Sequence, residues 1–170
     1  NSYPGITNKI LSKFARKIFV AYDNLNQFFK NEKIVLSGNP VRNDITATLP
    51  SKEEALTFFD LKKDKKTVLI IGGSLGARTI NESIEKNIEL FSENGFQLLW
   101  QTGKIYYDGI IERTKNNNLS NSKIHQFIRE MNMAYSAADI IISRAGALSI
   151  SELCIVGKPT ILIPSPNVSE

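Results

Sequence analysis

The sequence predicts an α/β domain built on a doubly wound parallel sheet. Three observations carry that expectation. Short apolar, β-branched runs alternate with helical patterns from residue 67 to residue 163, the pattern of successive strand-helix-strand units. Two of the runs, Thr67 to Ile71 and Asp139 to Ser143, end in turns of small residues that open a helix. Finally, 170 residues with 42% hydrophobic content and nine Phe suffice for one solid core, near the usual size of a single domain.

From Ile6 to Phe19, the residues Ile10, Leu11, Phe14, Ala15 and Ile18 recur at helical spacing, which predicts an amphipathic helix. Lys9, Lys13, Arg16 and Lys17 fall on its other face. Two readings of that face stay open: a solvated surface, or one that meets anionic lipid. Apolar runs at Ile18 to Ala21 and Lys33 to Leu36 follow, then Gly38-Asn39-Pro40-Val41-Arg42. Gly and Pro there mark a turn or linker and a boundary near Gly38, separating residues 1–37 from 38–170.

Ser51, followed by Glu53 and Glu54, reads as a helix start with acids near the positive end of the helix dipole, and Ala55 to Leu61 continues it. Lys62 to Lys66 is a charged connection. Thr67 to Ile71 suits a strand buried on both faces, and it leads through Gly72-Gly73-Ser74-Leu75-Gly76-Ala77 into a helix from Arg78 to Phe91. Strands are then expected at Phe96–Gln101, Lys123–Phe127, Asp139–Ser143 and Pro159–Ile163. Helices are expected at Tyr106–Lys115, Met131–Ala138 and Ser149–Val156. Right-handed crossovers place any ligand chemistry at the carboxyl ends of the strands.

Composition narrows the setting. The formal charge of +4 comes from 21 cationic and 17 anionic side chains, and by itself selects no partner. Nucleic acid is excluded as a partner, because no broad basic surface with interleaved aromatics is present. A single cysteine, Cys154, allows no intrachain disulfide, which fits a reducing, cytoplasmic compartment. No apolar run approaches the roughly 20 residues that cross a bilayer, and the start reads as no leader. The chain lacks an initiator Met and stops in what reads as a loop, so a piece of a longer protein is expected.

Two constellations carry chemistry. In Gly72 to Ala77, missing side chains let the backbone turn tightly and approach an anion at the N-terminus of the next helix. A phosphate site and a bare tight turn are both open readings. A P-loop would place Gly-Lys-Ser/Thr at its end, but Gly76 is followed by Ala77-Arg78, which argues against ATP hydrolysis. A dinucleotide fold wants an acid at the end of the next strand, where this chain has Trp100-Gln101-Thr102-Gly103, which argues against NAD. The second constellation runs from Ser143 to Glu152, again a strand end, a small-residue turn and a helix start. Its first-turn N–H groups could receive a diphosphate, and Glu152 could accept bonds from ribose hydroxyls. The structural alternative makes Ser149 an N-cap and Glu152 its capping-box partner.

Taken together, Gly38 to Arg42, Gly72 to Ala77 and Ser143 to Glu152 resemble three successive signatures of the MurG family of bacterial glycosyltransferases, in that family's order. Tyr3 to Lys9, Trp100-Gln101-Thr102-Gly103-Lys104 and Phe127-Ile128 extend the resemblance over nearly the whole chain. The resemblance implies one half of a two-domain GT-B fold with a Rossmann-like sheet. Residues 1–37 would be the tail of an acceptor domain plus linker, and residues 38–170 the UDP-sugar-binding domain, truncated at its end.

The implied reaction is inverting transfer of N-acetylglucosamine from UDP-N-acetylglucosamine to the lipid-linked muramyl-pentapeptide of peptidoglycan synthesis, at the inner face of the cell membrane. No cofactor and no metal are implied. By the same resemblance, Arg42, Gly73, Ser74 and Gly76 would meet the diphosphate. Phe127 would cover the uracil, and the Ile128 backbone would read its edge. Gly146, Ala147, Leu148 and Ser149 would present the helix N-terminus to phosphate, and Glu152 would hold the ribose. Catalytic groups beyond leaving-group stabilisation by Arg42 would lie outside this chain, which alone would not turn over. Two alternatives remain: a GT-B transferase using another nucleotide sugar, and a non-catalytic nucleotide-binding module.

Two further residues are read as structural. His125 lies in a strand-like run with no partner acid at a telling spacing, and Cys154 is placed in the core as a small hydrophobe.

Overall fold

The computed structural model describes residues 3–117, 119 and 122–165. They form two compact units, the first ending at Val41 and the second running from Arg42 to Ser165.

In the first unit, helix α1 spans Ile6–Leu11 and strands β1 (Ile18–Val20) and β2 (Ile34–Leu36) pair in parallel, Ile18 opposite Ile34. The helix is therefore much shorter than its periodicity predicts. Ser12 Oγ donates to the Lys9 carbonyl at 2.8 Å, and Lys33 Nζ donates to the Ser12 and Lys13 carbonyls at 3.1 Å each. These bonds satisfy carbonyls that end a helix, and Ile18 to Val20 gain a strand partner instead of another helical turn.

The cationic stripe dissolves with it. Lys9 lies 4.3 Å from the Tyr3 ring centroid, while Lys17 Nζ donates to the Glu32 carbonyl. Val20, Leu25 and Phe29 form a small core, beside a cavity of about 630 Å³ walled by Tyr3, Leu11, Phe19 and Pro40. Among the described residues, no helix is long and apolar enough to cross a membrane.

The second unit holds α2 (Asn43–Thr46), α3 (Lys52–Phe58), β3 (Lys66–Ile71), α4 (Arg78–Lys86), α5 (Ile88–Glu93), β4 (Phe96–Gln101) and α6 (Tyr107–Thr114). It continues with β5 (Lys123–His125), α7 (Met131–Ala137), β6 (Ile140–Arg144), α8 (Ala147–Val156) and β7 (Thr160–Ile163). All five strands are parallel, in the order β5-β4-β3-β6-β7. The doubly wound sheet expected from sequence is the one observed.

Val68, Ile70, Leu98 and Trp100 pack with Ile80, Ile84, Ile88 and Ile110 of the helices. The alternate strand residues Leu69, Leu99 and Ile141 are also fully buried, so both faces of the sheet are covered. Ser51 caps α3 as its sequence promises: Ser51 Oγ accepts from the Glu54 amide at 3.2 Å, and Glu54 Oε2 accepts from the Ser51 amide at 2.9 Å.

The helix expected over Arg78 to Phe91 is two helices. Asn87 breaks it with φ −115° and ψ 16°, while its side-chain amide donates to the Ser83 carbonyl. Strand β5 ends at His125 rather than Phe127, which leaves Phe127 and Ile128 in the turn beyond it.

Candidate functional site

The strand order makes a site before any side chain is considered. From β3 the chain moves outward through β4 to β5, then returns to lay β6 on the other side of β3 and continues to β7. The crevice at such a reversal, outside the carboxyl ends of the strands, is where open α/β sheets receive ligands. Here it lies between β3 and β6, whose ends are in register with Ile71 beside Ser143. Both small-residue turns of the sequence leave from these two neighbouring strands.

The first turn is held by close backbone contact. Gly76 has φ +85°, and its amide donates to the Gly73 carbonyl at 3.1 Å. A Cβ on Gly76 would overlap the Thr102 carbonyl oxygen and sit 2.7 Å from Tyr106 Cδ2, and a Cβ on Gly103 would overlap the Gly76 amide. Only glycine permits both the left-handed backbone and this approach. Ser74 and Leu75 are thereby turned outward and exposed.

Behind the turn, Trp100 Nε1 donates to Asn81 Oδ1 at 3.1 Å and Asn81 Nδ2 donates to the Thr102 carbonyl at 2.8 Å, all buried. Reading the sequence missed this network. Asn81 resembles any polar helix residue until the helix is docked. Gln101 was also missed as a functional candidate, although its side chain bonds both the Gly73 carbonyl and the Ile128 amide.

In the second turn, Gly146 is the N-cap of α8 in an extended conformation and makes no side-chain cap bond. The helix begins at Ala147, two residues earlier than the sequence suggests. Ser149 is then its third residue, and Glu152 lies in the second turn. This overturns the capping-box reading. Glu152, 9% exposed, accepts a hydrogen bond from the Tyr135 hydroxyl at 3.0 Å. Burial, followed by the negative charge of Glu152, pushes the Tyr135 phenol well above its ordinary range, so it remains a donor.

Arg42 caps the start of α2, which packs against α7 and α8. Its Nε and Nη2 donate to the two Asp44 carboxylate oxygens at 3.0 and 2.5 Å, and Nη2 also donates to the Arg129 carbonyl at 3.1 Å. Asp44 raises the guanidinium's pKa chiefly through that side-chain bond, against an opposing effect of burial, and Glu152 adds to the rise. The ion pair is substantially exposed, 43% and 38%, so it orients the guanidinium more than it stabilises the fold.

Phe127 presents an exposed ring beyond β5, whereas Ile128 is buried. The Ile128 amide donates to Gln101 Oε1 at 2.8 Å.

Residues far apart in sequence are thus brought to one end of the sheet. Gly73, Ser74 and Gly76 follow β3, and Gly146, Ala147, Leu148 and Ser149 follow β6. Phe127 and Ile128 follow β5, joined to Arg42 through the Arg129 carbonyl. N–H donors at a helix N-terminus and a guanidinium suit a diphosphate, an exposed ring suits a flat base, and a buried carboxylate suits hydroxyls.

Of the two residues expected to be structural, one sits elsewhere than expected. Cys154 is exposed rather than in the core. With Glu152 and Leu153 facing inward, the next helical step of about 100° turns Cys154 out. His125 is half-buried against the Phe59 ring with no partner for Nε2, and burial, then Lys123, depresses its pKa. Its placement is structural, as expected.

Comparison with known proteins agrees with this fold. The family described as Glycosyltransferase family 28 C-terminal domain matches residues 67–170. A UDP-N-acetylglucosamine--N-acetylmuramyl-(pentapeptide) pyrophosphoryl-undecaprenol N-acetylglucosamine transferase of Parabacteroides distasonis is 54% identical over all 170 residues, which make up 46% of its length. The protein of the same name from Cytophaga hutchinsonii is 56% identical, with this chain covering 45% of it. The chain therefore spans about half the length of the curated relatives it matches.

Among solved structures, Acinetobacter baumannii MurG aligns with a TM-score of 0.64 and 26% identity over 99% of this chain and 45% of its own. WaaG, a glycosyltransferase of lipopolysaccharide biosynthesis, aligns at 0.56 and 14% identity over 88% of this chain and 50% of its own, a likeness of fold alone. The parallel sheet flanked by helices is the half-molecule architecture of these GT-B glycosyltransferases.

Proposed function

Because the chain belongs to the glycosyltransferase family 28 C-terminal domain family, we propose that it forms the donor-binding half of an inverting N-acetylglucosaminyltransferase acting in peptidoglycan synthesis. The donor is UDP-N-acetylglucosamine, and the acceptor is a lipid-linked muramyl-pentapeptide held by the rest of the protein. The observation that carries the reading is the pair of small-residue strand-to-helix turns on neighbouring strands β3 and β6, at the point where the strand order reverses. A diphosphate lying across that crevice meets both turns at once.

The chemistry follows from where charge develops. An acceptor hydroxyl attacks the anomeric carbon from the face opposite the diphosphate, its proton passing to a base outside this chain. The bond from the anomeric carbon to the diphosphate oxygen breaks, and UDP leaves with the electron pair. The growing negative charge on the diphosphate is met by N–H groups at the start of α8, by the Gly73–Gly76 turn with Ser74, and by Arg42, which Asp44 holds in place. Donors fixed before the reaction lower the barrier without reorganising during it. Phe127 covers the uracil and Glu152 holds the ribose, its Tyr135 bond leaving the other carboxylate oxygen for a hydroxyl. The reading requires no metal ion or cofactor, since guanidinium and N–H groups supply the positive field. With a lipid-linked acceptor, the protein works at the inner face of the membrane as a peripheral enzyme.

Calorimetric titration of the full-length protein with UDP, UDP-N-acetylglucosamine, UDP-glucose, NAD and ATP tests the reading. Binding of UDP and UDP-N-acetylglucosamine with NAD and ATP silent is the expected result. Equal affinity for UDP-glucose would overturn the sugar assignment, and silence toward every uridine ligand would overturn the nucleotide assignment.

A further inference from the structure

We propose that Gln101 is a positioning residue that sets the spacing between the diphosphate turn and the base-binding turn, and so makes the site selective for a ligand that spans both. The inference rests on the nucleotide reading above. Gln101 is the last residue of β4, the strand between β5 and β3, and is 3% exposed. Its side chain spends both ends of its amide: Nε2 donates to the Gly73 carbonyl at 3.1 Å, and Oε1 accepts from the Ile128 amide at 2.8 Å. The carbonyl can only accept and the N–H can only donate, so a single orientation of the amide satisfies both.

The main chain does not make this connection itself. Beyond β4 the backbone ladder continues from the Thr102 amide to the His125 carbonyl and from the Gly103 amide to the Gln126 carbonyl, at 3.0 and 3.1 Å. At Ile128 the anchor is the Gln101 side chain instead. On the other side, the Gly73 carbonyl already accepts the Gly76 amide and takes the Gln101 bond as its second. One buried side chain thus joins the turn that bears Ser74 to the turn that bears Phe127.

Such a tie has a signature distinct from a contact. Two halves of a ligand bound separately tolerate a change in the distance between their sites, but a ligand that joins them does not, because its second contact is intramolecular. In the full-length protein, Gln101→Met preserves length and burial while removing both bonds. UDP is expected to bind about tenfold more weakly by calorimetry, with uridine and pyrophosphate, followed by ligand-observed NMR, each changing less than about twofold. Gln101→Glu keeps the acceptor for the Ile128 amide but sets an oxygen against the Gly73 carbonyl. It is expected to weaken UDP and pyrophosphate while leaving uridine within about twofold.

Unchanged UDP affinity in Gln101→Met overturns the inference. So does a parallel loss of uridine affinity, which would mark a base contact, or a loss of all three ligands with a changed circular dichroism spectrum, which would mark a structural role. A wild-type protein that binds none of the three overturns the nucleotide reading and this inference together.

Discussion

Removing a single oxygen from Tyr135 tests whether the buried Tyr135–Glu152 bond supports the fold. Tyr135 is 2% exposed and Glu152 9%, and the hydroxyl lies 3.0 Å from Glu152 Oε2. Tyr135→Phe keeps the ring, so no cavity opens, and deletes only the donor. Hydrogen bonds to charged groups contribute about 1.5 to 3 kcal/mol, and a buried acceptor left without its donor bears the desolvation penalty in full. About 2 kcal/mol is therefore at stake in the unit that contains the pair. At roughly 3 °C per kcal/mol for a unit of this size, thermal unfolding followed by circular dichroism should occur about 6 °C lower than in wild type. Glu152→Gln, whose amide oxygen still accepts from Tyr135, should lose less than Glu152→Leu. A Tyr135→Phe protein that melts within about 1 °C of wild type would refute the reasoning and mean that water satisfies the carboxylate instead.

Other perturbations probe the remaining contacts. Gly76→Ala combines a φ of +85° with overlap on the Thr102 carbonyl, so a loss of at least about 2 kcal/mol is expected in denaturant unfolding; a loss below about 1 kcal/mol would show that the turn yields easily. His125 has a folded-state pKa held down by burial and then by Lys123. The unfolded chain therefore binds the proton more tightly, and the contribution of neutral His125 is present above its unfolded pKa of about 6.5 and lost as pH falls through the folded value. Stability should decline on going from pH 7 toward 5, and His125→Gln should flatten that slope. A slope unchanged by the substitution would assign it to other groups.

The alternation of strands and helices was legible from residue 67 onward because its signals are local. Phe96–Gln101 is a strand over those same residues, and the Ser51 capping box needs only the four residues that form it. Both small-residue turns were also visible, since a strand end running into glycine and then a helix start is written in consecutive residues. At Glu152 the fold removed the capping-box alternative that the sequence left open. The conformation of Gly146 set the helix start, and Tyr135, 17 residues away, claimed the carboxylate. The helix expected over Ile6–Phe19 failed for the same kind of reason, when β2 offered Ile18 and Phe19 at its far end a strand partner.

By itself, then, the sequence determined a doubly wound domain and two small-residue strand-to-helix turns. Only the tertiary structure decided that β3 and β6 lie side by side, that Gln101 joins turns 28 and 27 residues away, and that Asn81 supports Trp100 and Thr102 from within. Helical and strand periods, caps and glycine turns act over a few residues and can be read along the chain. Strand order and buried side-chain bonds depend on which surfaces meet when the crossovers close, and that is set by packing across the whole domain.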